Sequence, residues 1–396
     1  MENRSSRYSV VVISDTYPPV VGGAEFDMQR VSAELLRRGH RVLVLCAGGG
    51  PMPAVKHWVD PLGVPVRILT RASTGRAKDI SFALQVAWNL WRERNRYEVA
   101  YFSMQGLHLA TGLLIARLTG KRILMKVHGS TVIPSMSRSR MGSKELRWLR
   151  LWASKVLLLN DEMFEEALAE GFPREQLQFM PNPIDVERFR PADPDERFQL
   201  RTELGIRPEA FVIIYVGRLS PEKGVDWLLE SFATAAPELP GAQLLLVGDG
   251  PIRATLERRA SELGLSAERV RFVGRVPNEE VPRWLRAANT FALVSPNEGF
   301  SCALAEAMAS GLASVVSDIP ANSQLVEESI HGSLVPAGNI AATAAAFARQ
   351  ARDLSATQEM GTRARQRVVD HYSTDRVVDQ YETLFAEIIH DGEASR

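Results

Sequence analysis

Two glutamates eight positions apart, Glu298 and Glu306, stand where an apolar, strand-like run gives way to a helix-like one. Thr290–Val294 has the apolar pattern of a buried strand, and Ala303–Ser310 has the composition of a helix. Glu306 could accept hydrogen bonds from ribose hydroxyls, and Glu298 could accept them from a sugar. Two glutamates at this spacing also arise by chance, so the alternative is a loop acid followed by a solvated helix residue.

The start of that predicted helix offers backbone donors. The first N–H groups of a helix have no carbonyl partner within it, and they favour a bound anion. A phosphate could therefore bind the N–H groups of five consecutive residues, which are Phe300, Ser301, Cys302, Ala303 and Leu304.

Arg218 and Lys223 supply positive charge in the same half of the chain. Phe211–Val216 predicts a strand that opens into a glycine-containing turn, and both side chains belong to that turn. Two cations at a strand end suit a diphosphate, which an arginine can bind through two hydrogen bonds. The alternative is a pair of surface charges beside Glu222, and the strand-to-helix position favours the diphosphate.

Two further segments follow predicted strands in the first half. Gly22 and Gly23, after the strand Val10–Ile13, permit backbone conformations that other residues avoid and allow a ligand to approach closely. They do not form the GxGxxG pattern of a dinucleotide site. His128 follows the strand Arg122–Val127, and its position alone leaves a structural and a ligand-contacting role equally open.

The composition limits the class of protein. The 396 residues are 45% hydrophobic and 24% charged, as in a globular protein of two domains. The 47 Lys and Arg balance the 47 Asp and Glu, which argues against a nucleic-acid partner. The cysteines Cys46 and Cys302 lie far apart, so the sequence predicts a reducing, cytoplasmic setting without a disulfide framework or a zinc site. No apolar run is long enough to span a membrane.

Strand-like and helix-like segments alternate along the chain, which predicts parallel sheets covered by helices on both faces. The alternation breaks at the Pro- and Asp-rich segment 180–194, a predicted linker, and then restarts. The sequence therefore predicts an α/β protein with two Rossmann-like, doubly wound domains in tandem. Ligands of such sheets bind beyond the carboxyl ends of the strands, so a cleft between facing domains is the expected site. Two independent domains with separate ligands are the alternative.

Taken together, these motifs resemble glycosyltransferase family 4, whose members have the GT-B fold. The resemblance covers nearly the whole chain and rests on the order of several short motifs. These are Glu-x7-Glu, Gly-Arg-Leu with a Lys five residues after the Arg, Gly-Asp-Gly-Pro, Phe-Val-Gly before Arg275, the Gly-Gly loop, the His-Gly pair and Pro-Asn-Pro-Ile-Asp. The chain departs from the family at 317–322, where members commonly carry Gly-Gly-x-Pro-Glu, so no donor contact is assigned to that loop.

The resemblance implies a retaining transferase that takes a nucleotide sugar, with a UDP-sugar first and a GDP-sugar next. It implies no cofactor and no metal requirement. Arg218 and Lys223 would hold the donor diphosphate, and Glu306 would bind the ribose. Glu298 would contact the transferred sugar, helped by the backbone of Phe300 and Ser301.

The remaining residues that the resemblance carries over lie around the ends of the donor. Arg275 and Val276 would lie beside the base. Gly22 and Gly23 would close over the phosphates from the other domain. His128 would contact the donor sugar near the reaction centre.

The same resemblance implies the domain boundaries. A terminal helix would cross back to the first domain, which would comprise residues 1–188 and 372–396 and bind the acceptor. Residues 189–371 would form the nucleotide-sugar-binding domain.

Residues 134–155 form a basic segment with a net charge of +5. On a helical projection Lys144, Arg147 and Arg150 share one side, and Trp148 and Trp152 lie on the other. A basic amphipathic helix with tryptophan can lie on an anionic membrane. The alternative, slightly favoured, is a helix whose tryptophan face packs on the core of the first domain.

The sequence thus predicts transfer to a glycan or lipid-linked acceptor in cell-envelope or other polysaccharide biosynthesis, in the cytoplasm and peripherally on the membrane's inner face. One alternative is a non-hydrolysing sugar-nucleotide epimerase, which would convert a donor without an acceptor. Another is a catalytically silent protein that binds a sugar nucleotide without turnover.

Overall fold

A computed structural model describes residues 7–20, 22–48, 52–53, 55–70, 75–103 and 105–394, with backbone only at 75–76 and 391–394. The chain divides into two compact units. Unit 1 comprises residues 1–183 and 374–396, and unit 2 comprises residues 184–373. Each unit has its own sheet, parallel throughout in unit 2 and parallel except for one edge strand in unit 1, which confirms the predicted α/β class.

Unit 1 contains an eight-stranded sheet in the order β3-β4-β2-β1-β5-β6-β7-β8. Its central strand has buried residues on both faces, as the apolar run Val10–Ile13 requires of a covered parallel sheet. The strands are β1 (Ser9–Ser14), β2 (Arg41–Ala47), β3 (His57–Val59), β4 (Pro65–Leu69), β5 (Val99–Ser103), β6 (Arg122–Lys126), β7 (Lys155–Leu158) and β8 (Leu177–Phe179).

The helices of unit 1 connect these strands. They are α1 (Gly23–Arg37), α2 (Gly75–Glu93), α3 (Leu107–Leu118), α4 (Val132–Ser137), α5 (Arg140–Trp152) and α6 (Asp161–Ala169). Asn160 begins α6 by accepting a hydrogen bond from the Met163 N–H at 2.9 Å, which satisfies one of the unpaired donors of the first turn.

The sequence pattern predicted no element between β2 and β5, and the structure places three there. The edge strand β3 pairs with β4 in the antiparallel sense, unlike every other strand pair in the described residues. At three residues, β3 is too short for a periodic signal. The helix α2 carries apolar residues on more than one face, which hides the stripe by which helices are recognised.

Unit 2 contains a six-stranded parallel sheet in the order β11-β10-β9-β12-β13-β14. Its strands are β9 (Val212–Val216), β10 (Gln243–Val247), β11 (Val270–Gly274), β12 (Thr290–Leu293), β13 (Ala313–Ser317) and β14 (Gly332–Val335). Its helices are α7 (Pro194–Glu203), α8 (Val225–Ala235), α9 (Arg253–Glu262), α10 (Val281–Ala287), α11 (Cys302–Ala309), α12 (Pro320–Ser323), α13 (Ile340–Arg352) and α14 (Leu354–His371).

The strand order of unit 2 reverses at β9, which pairs with β10 on one side and with β12 on the other. Loops that leave neighbouring strands in opposite directions open a crevice at such a point, and ligands bind there. The loops after β9 and β12 carry Arg218, Lys223 and Glu298.

The last helix, α15 (Thr374–Ala394), belongs to unit 1. Tyr381 and Phe385 are fully buried in the same core as Val10 of β1. The hydroxyls of Tyr101 and Tyr381 lie 2.8 Å apart, within hydrogen-bond distance. At the rim, the Arg38 guanidinium pairs with Asp379 at 2.6 Å and with Glu382 at 2.7 Å.

The unit boundaries differ by a few residues from the predicted ones. The chain passes from unit 1 to unit 2 after Pro183 rather than after 188, and it returns after Ser373 rather than after 371. The prediction placed both Ile184 and Tyr372 in the first domain, but both belong to unit 2. There the Ile184 N–H donates to the Tyr372 carbonyl at 2.8 Å. Within the described residues, no helix combines the length and the apolar composition needed to cross a bilayer.

Replacing Phe385 by alanine is expected to lower the free energy of unfolding by about 3–5 kcal/mol, because it opens a cavity in the core that α15 shares with β1. Urea unfolding followed by tryptophan fluorescence measures this loss. Thr383→Ala on the exposed side of the same helix is the control, with an expected change below about 0.5 kcal/mol. Equal losses in the two variants would contradict the docking of α15.

Candidate functional site

The loop after β9 presents the two predicted phosphate-binding cations of unit 2. Arg218 is exposed, and Lys223 ends a short 3-10 turn, Pro221–Lys223, that leads into α8. The Tyr215 hydroxyl, buried at the end of β9, donates to the Arg218 carbonyl at 2.8 Å. This bond fixes the backbone at Arg218 and leaves its guanidinium at the surface.

Lys223 and Glu298 form an ion pair that the sequence did not reveal. The Lys223 Nζ lies 2.7 Å from Glu298 Oε1 and 2.8 Å from Oε2. The Glu298 side chain is only 10% exposed, and that of Lys223 is 28% exposed. Two residues predicted to bind different parts of a donor are therefore in direct contact, and each fixes the position of the other.

The electrostatics of this pair extend to Tyr215. Burial raises the pKa of the Tyr215 phenol, and the nearby carboxylates of Glu298 and Glu222 raise it further. The phenol therefore remains neutral at physiological pH and acts as a hydrogen-bond donor to the backbone of the cation loop.

The Gly-Asp-Gly-Pro motif, at 248–251, packs the next loop against this one. A Cβ atom on Gly248 would lie 1.8 Å from the Gly217 carbonyl oxygen, and one on Gly250 would lie 2.1 Å from the Leu219 carbonyl oxygen. Gly248 also has a φ of 140°, which residues with side chains rarely adopt. In the structure, the motif shapes the loop that carries Arg218.

Arg275 and Val276 follow β11, the edge strand next to β10. The Gly248 N–H donates to the Gly274 carbonyl at 2.9 Å, which joins this loop to the Gly-Asp-Gly-Pro loop. Arg275 is exposed and Val276 is half-buried. Arg275 and Val276 thus lie beyond the carboxyl ends of the strands, as the loop of Arg218 and Lys223 does.

The start of α11 differs from the prediction at one backbone donor. The Cys302 N–H donates to the Phe300 carbonyl at 3.0 Å, so it is not free for a ligand. The Ser301 hydroxyl is buried and donates to Asn322 Oδ1 at 2.6 Å, so this side chain serves the fold. The N–H groups of Ala303 and Leu304 lie in the first turn, as the sequence predicted.

Asn322 is a residue whose role the sequence did not predict. Fully buried, it accepts from Ser301 and donates from Nδ2 to the Ser317 carbonyl at 2.9 Å. It therefore joins the Glu298 loop to the turn after β13, where the chain departs from its family's pattern. Glu306 lies one turn into α11 and is half-buried.

Gly22 and Gly23 lie in unit 1, at the start of α1. The φ of Gly22 is −176°, an extended conformation open to any residue, so this glycine does not use the backbone freedom that its type permits. A Cβ atom here would lie 2.2 Å from Glu25 Oε2, the end of a flexible side chain that can move aside. The neighbouring Val21 lies outside the described residues.

His128 follows β6 in unit 1, beside a buried ion pair. Lys126 Nζ lies 2.9 Å from Asp27 Oδ1, and both side chains are inaccessible to solvent. The His128 Nε2 lies 3.8 Å from Asp27 Oδ2, beyond hydrogen-bond distance, and no described residue bonds either ring nitrogen. Burial lowers the pKa of His128 to about 3, and the charge of Lys126 lowers it too. The imidazole is therefore neutral at physiological pH, and both ring nitrogens are buried without a hydrogen-bond partner among the described residues.

Asp27 is the second residue that the sequence did not single out. Asp27 lies on the buried side of α1, where an apolar residue is expected. This charged residue in an apolar position was the sequence signal that could have identified it. Burial raises the pKa of Asp27, which the adjacent Lys126 ammonium opposes. Lys126 also donates to the Pro181 carbonyl at 3.2 Å. Among the described residues, no group of three or more His, Cys, Asp and Glu converges as a metal site would require.

Two family models match the chain. Residues 21–188 match the one described as Glycosyltransferase Family 4, and residues 196–367 match the one described as Glycosyl transferases group 1.

Curated relatives of known activity cover most of the chain. The N-acetyl-alpha-D-glucosaminyl L-malate synthase of Bacillus anthracis is 24% identical over 96% of this chain and 97% of its own length. A UDP-Gal:alpha-D-GlcNAc-diphosphoundecaprenol alpha-1,3-galactosyltransferase of Escherichia coli is 26% identical over 70% of this chain and 72% of its own. A GDP-mannose-dependent alpha-(1-6)-phosphatidylinositol monomannoside mannosyltransferase of Mycolicibacterium smegmatis is 28% identical over 69% and 72%.

Solved structures share the fold. HepE of Anabaena in complex with UDP superposes with a TM-score of 0.80 at 20% identity, over 96% of this chain and all of that one. The sucrose-phosphate synthase of Thermosynechococcus elongatus gives the same TM-score at 21% identity, over 97% of this chain and all of that one.

The two parallel-sheet units and these matches define a glycosyltransferase of the GT-B type. The chain belongs to glycosyltransferase family 4, as its motifs predicted. The roles of the individual site residues remain predictions.

Replacing Asn322 by alanine is expected to lower the free energy of unfolding by about 1–3 kcal/mol, since buried partners at Ser301 and Ser317 lose their hydrogen bonds. Thermal denaturation measures the loss. Asn297→Ala, an exposed residue of the same loop region, is the control and should leave the melting temperature within about 1 °C. Equal melting temperatures for the wild type and Asn322→Ala would show that Asn322 anchors nothing.

The buried imidazole of His128 predicts a pH dependence of stability. An unfolded histidine binds a proton below about pH 6.5, whereas the folded His128 does not, so acidification favours the unfolded chain. Between pH 7.5 and 5.5, His128 should cost the wild type about 1.4 kcal/mol that the His128→Gln variant does not lose. Urea unfolding at the two pH values checks this. The exposed His57→Gln is the control, and it should follow the wild type.

Proposed function

We propose that the chain transfers a sugar from a nucleotide-sugar donor to a glycan or lipid-linked acceptor, with retention of anomeric configuration. The observation that carries the proposal is the Lys223–Glu298 ion pair, at 2.7 Å, beside the loop of Arg218. Cations and a carboxylate at the switch point of one sheet are the groups that a diphosphate and a sugar would need. We propose a UDP-sugar as donor, with a GDP-sugar next, because named relatives use one or the other.

The leaving group explains the two cations. As the bond between sugar and diphosphate breaks, negative charge develops on the diphosphate, and fixed positive charge lowers the energy of that state. Arg218 and Lys223, with the first-turn N–H groups of Ala303 and Leu304, would supply this charge. On this proposal the reaction requires no metal ion.

Glu298 would accept hydrogen bonds from hydroxyls of the transferred sugar, and its ion pair with Lys223 would fix its orientation. We assign it no nucleophilic role. The acceptor hydroxyl would attack from the face that the diphosphate leaves, and the departing phosphate oxygen would take the hydroxyl proton. Glu306 would bind the ribose, and Arg275 and Val276 would flank the base.

In unit 1, His128 would contact the donor sugar through one of its two unbonded ring nitrogens. Gly22 and Gly23 would approach the phosphates, and the rest of unit 1 would bind the acceptor. We place the reaction in the cytoplasm, on cell-envelope or other polysaccharide precursors. Neither Cys46 nor Cys302 is in a disulfide, which fits a reducing compartment.

Lys223→Ala is expected to lower the rate of donor turnover by about 100-fold or more, because the variant lacks one of the two positive side chains that would stabilise the leaving diphosphate. The assay measures transfer and hydrolysis of UDP-, GDP- and ADP-sugars, with nuclear magnetic resonance to determine the anomeric configuration of the product. Arg258→Ala, an exposed cation of unit 2, is the matched control and should keep wild-type turnover. Thermal denaturation verifies that both variants fold.

Several outcomes would overturn this proposal. Near-normal turnover by Lys223→Ala would remove Lys223 from the diphosphate site. Conversion of a donor to its epimer without an acceptor would identify an epimerase. Binding of a nucleotide sugar without turnover would identify a silent binding protein, and binding of none would exclude all three functions.

A further inference from the structure

The helix α2 of unit 1 carries large apolar side chains on two opposite sides. Phe82, Val86 and Leu90 are fully buried against the unit. On the other side lie Ile80, Leu84, Trp88 and Trp91, at steps of four, four and three residues that keep them in one stripe. Leu84 and Trp88 are each 64% exposed. A contiguous exposed stripe of large apolar residues is typical of an interaction surface.

The neighbouring helix α3 extends this stripe. The Thr111 hydroxyl donates to the Ala83 carbonyl at 3.2 Å, and the rings of Phe82 and His108 pack edge to face at 5.0 Å, so α2 and α3 lie side by side. The outer side of α3 exposes two further leucines, and the more exposed is accessible over 67% of its surface. We call these six residues the apolar patch: Ile80, Leu84, Trp88, Trp91, Leu114 and Leu118.

The helices of the apolar patch and the neighbouring helix α5 carry exposed cations. The buried Glu145 of α5 accepts from the Gly106 N–H at 3.2 Å, which attaches α5 to the start of α3. Among the described side chains of α2, α3 and α5, Asp79 is the one exposed acid, because Glu93 and Glu145 are buried. The exposed cations of the three helices are Lys78, Arg92, Arg117, Arg140, Lys144 and Arg147.

We propose that the apolar patch and the exposed cations of α2, α3 and α5 dock unit 1 on an anionic lipid bilayer. Tryptophan and leucine enter the boundary between headgroups and acyl chains, while lysine and arginine attract anionic headgroups. A second copy of the chain fits less well, because a symmetric contact sets the same cations against each other. The proposal adds a partner to the proposed transfer reaction without depending on it.

This surface differs from the one that the sequence suggested. Trp148 and Trp152 of α5 are half-buried and stack on each other with ring centroids 5.0 Å apart. Arg150 is half-buried and donates to the Glu170 carbonyl, so it contributes to packing within the unit. Lys144 and Arg147 remain exposed, so α5 supplies charge to the docking surface and α2 and α3 supply its apolar area.

The test is co-flotation of the full chain with vesicles of phosphatidylcholine containing phosphatidylglycerol, compared with vesicles of phosphatidylcholine alone. The wild type should bind the anionic vesicles, less strongly as salt is added. Leu84→Gln with Trp88→Gln should weaken binding by about tenfold or more, because less apolar area enters the bilayer. Lys144→Gln with Arg147→Gln should weaken it by about tenfold on anionic vesicles.

The matched control replaces two exposed apolar residues of unit 2, Phe198→Gln with Leu354→Gln, and should bind as the wild type does. Thermal denaturation verifies folding, and donor turnover without vesicles should be equal in all three double variants. Absent turnover would refute the transferase and leave the vesicle result standing. Wild-type binding by Leu84→Gln with Trp88→Gln, or no binding by the wild type, would overturn docking. So would a dimer in sedimentation velocity that this variant abolishes, because a second copy would then cover the patch.

Discussion

The close contact between the main chains at Gly217 and Gly248 determines the geometry of the candidate donor site. It leaves no room for a side chain, since a Cβ on Gly248 would lie 1.8 Å from the Gly217 carbonyl oxygen. The loops after β9 and β10 are therefore held against each other, and this contact fixes the backbone next to Arg218. Lys223, farther along the same loop, pairs with Glu298, which positions the loop after β12. A steric constraint in the backbone thus determines where the charges of unit 2 lie.

Unit 1 arranges its charges by burial. The ion pair of Asp27 and Lys126 has no access to solvent. Burying two charges costs more free energy than burying a well-packed apolar pair of similar volume. Burial lowers the pKa of His128, and the positive charge of Lys126 lowers it further, so the imidazole is neutral. A neutral ring can donate from one nitrogen and accept at the other, so it suits contacts with sugar hydroxyls, which do both.

The elements that could be predicted from the sequence are those with long, regular patterns of apolar residues. Continuous apolar runs such as Val10–Ile13 predicted the parallel sheets, because a strand covered on both faces is apolar at every position rather than at every second one. The three-residue strand β3 and the many-sided apolar helix α2 carried no clear period and were missed. At the site, spacing identified Glu298 and Lys223 as candidates but not as partners. Their residues lie 75 positions apart, and only tertiary structure brings them to 2.7 Å. Asn322 was missed because a buried hydrogen bond leaves no mark on periodicity.

The return of α15 to unit 1 has a consequence for synthesis on the ribosome. Residues 184–373 form a unit with a complete sheet, so this part can fold as soon as it has emerged. The core around β1 lacks Tyr381 and Phe385 until α15, which follows unit 2 in the chain, has left the exit tunnel. The first 183 residues of unit 1 therefore cannot complete their core until all of unit 2 has been translated.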